Sequence, residues 1–138
     1  MTAEPSGPLV VDASVVVAAL VDGGPAGVWA AETMRGRFLV APAHLPVEVA
    51  SALRRLAVSG AVGADVATLA HADLLELRVQ SYPYEPFGER VWSLRSVVSA
   101  YDAAYVALAE AVRAPLATLD GRLARTPGVA CGFVTWVP

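Results

Sequence analysis

The sequence predicts an α/β fold, a three-layer α/β/α sandwich in which helices cover both faces of a central, mostly parallel sheet. Short, continuously apolar runs alternate along the chain with longer segments in which apolar residues recur at helical spacing. Such runs are typical of strands buried on both faces, as in parallel sheets covered by helices. The chain has 138 residues, of which 56% are hydrophobic and 17% charged. This composition indicates one compact domain rather than a disordered protein.

The first half of the chain contains two predicted strands and four predicted helices. The apolar run Leu9–Val11 predicts a buried strand that ends at Asp12, and Ser14 can cap the helix that follows. Pro25 suits the first turn of a second helix, which extends to about Arg35. The remaining elements are a strand over residues 38–41, a helix from 44 or 45 to 59, and a helix over 64–77.

The second half continues the alternation. A strand is predicted over residues 78–82 and a helix over 86–95. Ser99, followed three residues later by Asp102, resembles a capping box that opens an alanine-rich helix to about Val112. Asp102 is therefore expected in the first turn of that helix. The last predicted elements are a strand over 115–119 that leads to Asp120, a short helix over 121–125 and a strand over 133–136.

Lysine is absent from the chain, and all ten basic residues are arginine. A Walker A loop and a Schiff-base enzyme each need a lysine, so the sequence argues against both classes. The net charge of −3 also argues against a broad basic face for nucleic acid. Any contact with phosphates is expected to run through bound cations or through a few arginines, such as Arg95, Arg122 and Arg125.

The cysteine content and the hydropathy pattern bear on the cellular setting. Cys131 is the single cysteine, so no internal disulfide can form, and a reducing, cytoplasmic setting is expected. The N-terminal segment lacks the basic residues of a signal peptide, and the apolar stretch at 15–21 is too short to cross a bilayer. We therefore expect neither a targeting segment nor membrane association.

Four acidic residues are predicted to meet at the carboxyl edge of the sheet: Asp12, Glu48, Asp102 and Asp120. In open parallel sheets, ligands bind at this edge, near helix N-termini. Each acid taken alone has a structural explanation, because carboxylates cap helices and favour their first turns. Together, in strongly apolar surroundings, they would repel one another and would need a cation.

The donor set indicates which cation such a site would take. No cysteine pair and only two histidines are available, which argues against tetrahedral zinc. Carboxylate oxygens instead favour Mg²⁺ or Mn²⁺, which keep several waters and bind through one or two carboxylates plus substrate phosphate. The sequence therefore points to metal-assisted phosphodiester chemistry.

At these residues the sequence resembles the PIN-domain family, and more narrowly the VapC-type ribonuclease toxins of VapBC toxin–antitoxin systems. The resemblance covers about residues 9–134, nearly the whole chain. It rests on four motifs: Val11-Asp-Ala-Ser14, Val47-Glu-Val-Ala-Ser-Ala-Leu53, Ser99-Ala-Tyr-Asp-Ala-Ala-Tyr-Val-Ala-Leu-Ala109 and Leu116-Ala-Thr-Leu-Asp-Gly-Arg-Leu123. The third and fourth motifs, in this order and at these separations, are the more specific ones.

The resemblance implies an endoribonuclease that depends on Mg²⁺ or Mn²⁺, forms a homodimer and is held inactive by a cognate VapB-like antitoxin. Asp12 and Asp102 would be the metal ligands, and Glu48 and Asp120 would complete the catalytic acidic pocket. Ser14 and Thr118 would orient carboxylates. A purely structural role is equally well supported for each, as a helix cap for Ser14 and as a strand residue for Thr118. The nuclease domain would span residues 9–138, preceded by an extension over residues 1–8.

Two further interpretations compete with a nuclease. The chain could be a catalytically inactive PIN-like module that acts only through protein contacts, although all four acids are present. A phosphatase of the haloacid dehalogenase type also places an aspartate after its first strand. That chemistry needs a second acid two residues later, where this chain has Ser14.

Two histidines and four aromatic residues could also be considered for catalysis or for stacking on bases. His44 and His71 are assigned no role, because a lone helical histidine is more often packed or solvated. The aromatic residues Trp29, Trp92, Tyr101 and Tyr105 are expected to pack in the core or at a dimer interface rather than to stack on RNA bases.

Overall fold

The computed structural model describes residues 7–138 and contains five strands and seven α-helices in that range. The strands are β1 (Pro8–Val11), β2 (Phe38–Pro42), β3 (Gln80–Tyr82), β4 (Leu116–Thr118) and β5 (Phe133–Thr135). The helices are α1 (Ala13–Val21), α2 (Pro25–Met34), α3 (Leu45–Val58), α4 (Ala64–Glu76), α5 (Gly88–Ser93), α6 (Ala100–Val112) and α7 (Gly121–Ala124). A 3₁₀ turn, Glu85–Phe87, precedes α5.

The sheet has the strand order β3-β2-β1-β4-β5, and every pair of neighbours is parallel. Helix α1 packs against α2, α3 and α4, whereas α6 packs against α5 and against β1 and β2. The predicted three-layer α/β/α sandwich is thereby confirmed. β1 and β4, which lead to Asp12 and Asp120, are adjacent at the centre of the sheet.

Helix α6 has more buried residues than any other helix of the described region. Seven consecutive residues, Ala103 to Ala109, are buried, which is the pattern of a helix covered on all sides. Ser99 caps its N-terminus by accepting a hydrogen bond from the Asp102 amide at 3.2 Å, as the capping pattern predicts. The cap and the packing together fix the position of Asp102 in the first turn.

Several sequence predictions differ from the structure in detail. β3 begins at Gln80 rather than at residue 78, and β4 and β5 are shorter than predicted. β1 begins at Pro8, one residue earlier than predicted, and residues 1–6 of the predicted extension lie outside the described residues. Asp12, not Ser14, caps α1, because Asp12 has the extended backbone that directly follows the strand and accepts from the Val15 amide. The predicted helix over 86–95 is divided into a 3₁₀ turn and a short α5, because the amides of Phe87 and Gly88 bond to carbonyls three residues earlier rather than four.

The corner between α1 and α2 depends on a close backbone approach. A Cβ atom on Gly27 would lie 1.7 Å from the carbonyl oxygen of Asp22, so only glycine fits there without a shift of the backbone. The same corner contributes Asp22 and Gly23 to the cleft described below.

No helix within residues 7–138 is by itself long and apolar enough to cross a bilayer. Helices α1 and α2 reach that length and apolar composition only together, across a 113° bend.

Candidate active site

Four acidic side chains lie at the carboxyl edge of the sheet and line one cleft of about 670 Å³. Asp12 follows β1 directly, and Asp120 lies two residues beyond β4. Glu48 and Asp102 lie in the first turns of α3 and α6. The structure therefore brings together the residues that the sequence predicted to meet.

Asp12 is the most buried of the four, with 7% of its surface exposed. Its Oδ1 accepts hydrogen bonds from the Ser14 hydroxyl and from the Val15 amide at 3.1 Å. Burial raises the pKa of Asp12, the charge of Asp102 raises it further, and hydrogen bonds from Ser14, Thr118 and Val15 oppose the rise without cancelling it.

Ser14 and Thr118 connect the ends of β1 and β4. The Ser14 hydroxyl donates to Asp12 and accepts from the Leu119 amide at 3.1 Å. Thr118 is fully buried, and its Oγ1 accepts from the Asp120 amide at 3.0 Å. These hydroxyls hold the loop after β4 against the Asp12 carboxylate.

Asp102 is a half-buried carboxylate close to other negative charges. Burial raises its pKa, and the charges of Asp120 and Glu48 raise it further. The hydrogen bond with Ser99 and the charge of Arg122 act in the opposite direction but do not outweigh the rise. The carboxylates are therefore close enough for each to make ionisation of another less favourable.

Asp120 combines a structural contact with its place in the cleft. Its carboxylate caps α7 by accepting from the Arg122 amide at 3.0 Å, and the Arg122 Nε atom lies 3.5 Å from it. The side chain of Arg122 is 88% exposed, so this ion pair adds little stability. Both interpretations of Asp120 from the sequence, as a helix cap and as a member of the acidic cluster, agree with its position.

Glu48 differs from the three aspartates in that a tyrosine and a histidine side chain contact its carboxylate. The Tyr105 hydroxyl donates to Glu48 Oε1 at 2.8 Å. The Nε2 atom of His44 lies 3.0 Å from the same oxygen, but the angle does not form a hydrogen bond and this buried nitrogen has no other partner in the described structure. Burial raises the pKa of Glu48, but these two side chains outweigh burial and the pKa is lowered overall.

Beyond the acids, the cleft continues between α1, α3 and the loop after α3. Its apolar wall consists of Val17, Val21, Ala52, Leu56, Ala61 and Val62. Arg55 is the one cationic side chain among the described residues that line it. Its neighbour Arg54 faces a different, shallow groove between α3 and α4.

The donor chemistry of the acidic end fits a hard divalent cation. Within residues 7–138, no three His, Cys, Asp or Glu side chains come close enough together to chelate an ion by themselves. Mg²⁺ keeps several of its waters and uses one or two carboxylates, so it does not require such a group. The raised pKa values of Asp12 and Asp102 indicate negative charge that a cation would neutralise.

The aromatic residues are divided between the core and the surface. Tyr105 is 1% exposed, which confirms its expected packing role, although its hydroxyl also reaches the site. Trp92 and Tyr101 are 66% and 63% exposed, so they do not pack in the core, and their expected place at a dimer interface stays a prediction. The Arg95 guanidinium lies over the Trp92 ring at 4.9 Å.

Sequence reasoning missed two residues at the site, His44 and Arg55. His44 precedes Glu48 by four residues, a spacing that places both on one face of a helix. Arg55 follows Glu48 by seven residues, or two helical turns, which also places it on that face. The helical spacing around Glu48 was therefore the signal that could have identified both.

Comparison with known proteins gives consistent matches. The PIN domain family model matches residues 9–129. Ribonuclease VapC12 of Mycobacterium tuberculosis is 40% identical over 120 residues, which cover 87% of this chain and 92% of that protein. The family match includes all four acidic residues and ends before β5.

Two solved structures share the fold. The crystal structure of M. tuberculosis VapC20, described as a Sarcin-Ricin loop cleaving toxin, has a TM-score of 0.67 at 19% identity and covers 88% of this chain and 96% of that chain. The structure of VapBC2 from Rickettsia felis bound to a promoter DNA fragment has a TM-score of 0.64 at 13% identity, covering 94% of this chain and 99% of that one.

Fold and site together define an α/β protein with an acidic centre at the carboxyl edge of its sheet. The chain belongs to the PIN-domain family, and within that family its relatives are VapC ribonucleases.

Proposed function

We propose that this protein is a divalent-metal-dependent endoribonuclease and the toxin of a VapBC-type toxin–antitoxin pair. The observation that carries the proposal is the convergence of Asp12, Glu48, Asp102 and Asp120 on one cleft, in a chain 40% identical to a named ribonuclease. An inactive interaction module is not favoured, because the relatives are ribonucleases and the four acids are retained at one site.

Asp12 and Asp102 would hold a Mg²⁺ or Mn²⁺ ion, since burial and like charge raise the pKa of both carboxylates. A bound cation of this kind lowers the pKa of a coordinated water and stabilises charge on phosphate oxygens. Ser14 and Thr118 keep the Asp12 carboxylate oriented through their hydroxyls. Glu48 and Asp120 complete the acidic pocket.

The remaining lining of the cleft suits a single RNA strand. Arg55 lies about 10.5 Å from Glu48 along α3, the rise of seven helical residues. It would contact a phosphate one or two nucleotides from the cleavage point, while the apolar wall accepts the uncharged parts of the strand. Arg95, Arg122 and Arg125, the candidates from the sequence, do not line the cleft.

The proposal includes partners of this chain. The structure of the VapBC2 complex contains a related toxin fold, so a small VapB-like antitoxin is proposed as the inhibitor. A homodimer, a cytoplasmic setting and a nuclease domain over residues 9–138 belong to the same proposal. A gene for a small protein beside this one would support the toxin–antitoxin assignment.

The test uses the purified full chain and a fluorescently labelled single-stranded RNA with Mg²⁺ or Mn²⁺. We expect the wild type to cleave the RNA and EDTA to stop cleavage. Asp102→Asn should fold and lose activity by about 1,000-fold, because metal assistance supplies several kcal/mol to the transition state. Asp65→Asn is the matched control, since Asp65 occupies the first turn of α4, outside the cleft.

Wild-type rates of cleavage by Asp102→Asn would refute the site, and absence of cleavage by the wild type would refute the nuclease function. Toxicity is tested separately in cells. Induction of the wild type is expected to arrest growth, and induction of Asp12→Ala is not.

A further inference from the structure

Two side chains place a polar atom within 3.0 Å of the same carboxylate oxygen of Glu48, one by a hydrogen bond and one by a close contact. Tyr105, on α6, donates its hydroxyl to Oε1 at 2.8 Å, and His44, one helical turn before Glu48, places Nε2 3.0 Å from the same atom. No hydrogen bond to the other oxygen, Oε2, occurs among residues 7–138. The carboxylate is thus held on one side only.

The groups that hold Glu48 are themselves fixed. Tyr105 is 1% exposed and packed in the core. The His44 ring meets the Tyr105 ring edge to face, with 5.1 Å between centroids, and meets the Tyr101 ring in the same way at 5.6 Å. Such contacts restrict the rotamers of both partners, which is a requirement for a precisely placed functional group.

The Tyr105 hydroxyl acts as a donor and not as an acid or base. Burial raises its pKa, and the negative charges of Glu48, Asp12 and Asp102 raise it further. Burial and the surrounding negative charge therefore favour the protonated hydroxyl, which is the form that donates to Glu48.

Another carboxylate in the same fold shows what a purely structural glutamate looks like. Glu110 uses both oxygens: Oε1 accepts from Arg90 Nε, and Oε2 accepts from Arg90 Nη2 and the Ala130 amide. Glu48 differs in keeping one oxygen without such a partner while lining the acidic cleft. Its arrangement matches a carboxylate that is oriented for a further contact.

We propose that Tyr105 and His44 are positioning residues that hold Glu48 by Oε1, so that Oε2 accepts a hydrogen bond from the attacking water. As the water oxygen bonds to the scissile phosphorus and the P–O bond to the leaving ribose oxygen breaks, Glu48 takes up the water proton and solvent protonates the leaving oxygen. This inference rests on the proposed nuclease function and adds to it two residues that act through Glu48. The role of Tyr105 is then twofold, since its ring packs in the core and its hydroxyl orients Glu48.

The experiment is a double-mutant cycle on RNA cleavage by the full chain. Tyr105→Phe removes only the hydroxyl, and Tyr101→Phe is its matched control on the same helix and against the same histidine. Each is measured alone and in the Glu48→Gln background, with melting temperature recorded for every variant. Loss of one oriented hydrogen bond to a catalytic group is expected to reduce kcat roughly tenfold, with KM little changed.

A residue that acts through Glu48 should have no effect once Glu48 is changed. We expect Tyr105→Phe to lower kcat in the wild-type background and to leave it unchanged in Glu48→Gln, whereas Tyr101→Phe has no effect in either. A wild-type kcat for Tyr105→Phe, or the same loss in both backgrounds, would overturn the role of Tyr105.

His44 is tested in the same way, with exposed His71 as its control. His44→Leu removes the nitrogen and should lower kcat, His44→Gln keeps an N–H donor and should recover part of it, and His71→Gln should match the wild type. Equal kcat values for His44→Leu and the wild type would overturn the role of His44. A wild type that does not cleave RNA would instead refute the proposed function, and this inference with it.

Discussion

Helix α6 carries one carboxylate near each end, and the two differ in how their charge affects the fold. The helix dipole alone would favour a negative charge at the N-terminal end, where Asp102 lies, and disfavour one at the C-terminal end, where Glu110 lies. The pKa shifts are the reverse: the pKa of Asp102 is raised and that of Glu110 is lowered. The neighbours of each group therefore outweigh the dipole.

Glu110 is surrounded by donors. Its carboxylate receives Arg90 Nε at 2.7 Å, Arg90 Nη2 at 2.9 Å and the Ala130 amide at 2.8 Å. These contacts join α5, α6 and the segment before β5, so the ionised carboxylate stabilises the fold. Hydrogen bonds from Arg90 are the main cause of the lowered pKa of Glu110, and burial opposes them.

Asp102 instead faces burial and the charges of Asp120 and Glu48. Its ionised form therefore costs stability in the absence of a cation. A group that destabilises the fold is expected where function requires it, since catalytic sites commonly carry charges that the fold alone does not favour. The comparison thus separates an acidic cluster whose charges oppose one another from an ion pair that stabilises the fold.

The largest effect is expected at the acidic end, for Asp12→Asn. Cleavage of RNA should fall by about 1,000-fold, while the melting temperature in metal-free buffer should rise, because Asn still caps α1 and has no charge to bury. The pKa of Asp12 is raised above its ordinary value of 3.8, so the fold favours the protonated carboxyl. Its stabilising effect on the free energy of unfolding is complete below pH 3.8 and is lost as the pH rises through the folded pKa. The difference in melting temperature between Asp12→Asn and the wild type should therefore grow as the pH rises through the folded pKa of Asp12.

Cleavage assays and thermal melting at several pH values check this prediction. A metal-free Asp12→Asn protein that melts below the wild type at neutral pH would contradict the assignment of a charge that costs stability.

At the other end of α6, Glu110→Gln should mainly affect stability. We expect a loss of about 2 kcal/mol, because the Arg90 guanidinium and the Ala130 amide lose a charged acceptor. The pKa of Glu110 is lowered from 4.5, so its stabilisation is present above pH 4.5 and is lost as the pH falls through the folded pKa. The variant and the wild type should therefore converge in acid.

Urea unfolding at pH 7 and pH 3 measures the difference, with the exposed Glu89→Gln of α5 as control. Specific activity below the melting transition should remain close to that of the wild type. A fall in kcat comparable to that of Asp12→Asn would mean that the two ends of α6 do not have separate roles.

The smallest effect is expected for Arg55→Gln, which tests how the cleft receives RNA. KM should rise roughly threefold to tenfold, and the dependence of binding on salt should weaken by a slope of about 1, as for the loss of one phosphate contact. Arg54→Gln is the matched control, because Arg54 is adjacent in sequence but lines another groove. Equal effects of the two variants would indicate general charge attraction rather than a contact in the cleft.

Much of the fold and the acidic centre could be predicted from sequence because their signals are local. Continuous apolar runs such as Leu9–Val11 identify buried parallel strands, and an acid directly after such a run lies at the carboxyl edge of the sheet. The capping pattern from Ser99 to Asp102 fixed a helix start to within one residue.

The remaining features depend on packing between distant segments. Tyr105 and Glu48 are 57 residues apart, and no local pattern indicates that they share a hydrogen bond. Which of two adjacent arginines faces the cleft depends on the rotation of α3 against α1. Of the two roles expected for Ser14, the helix cap is taken by Asp12, and the Ser14 hydroxyl, inside the first turn of α1, connects Asp12 to Leu119.

The most direct test of the central claim is the melting temperature of the wild type and Asp12→Asn as Mn²⁺ is added. A cation that binds only the folded protein raises its stability in proportion to the logarithm of its concentration above Kd. We predict that Mn²⁺ raises the melting temperature of the wild type with a measurable Kd and leaves that of Asp12→Asn unchanged. A wild type whose melting temperature does not respond to millimolar Mn²⁺, or a variant that responds equally, would contradict a metal centre at the carboxyl edge of the sheet.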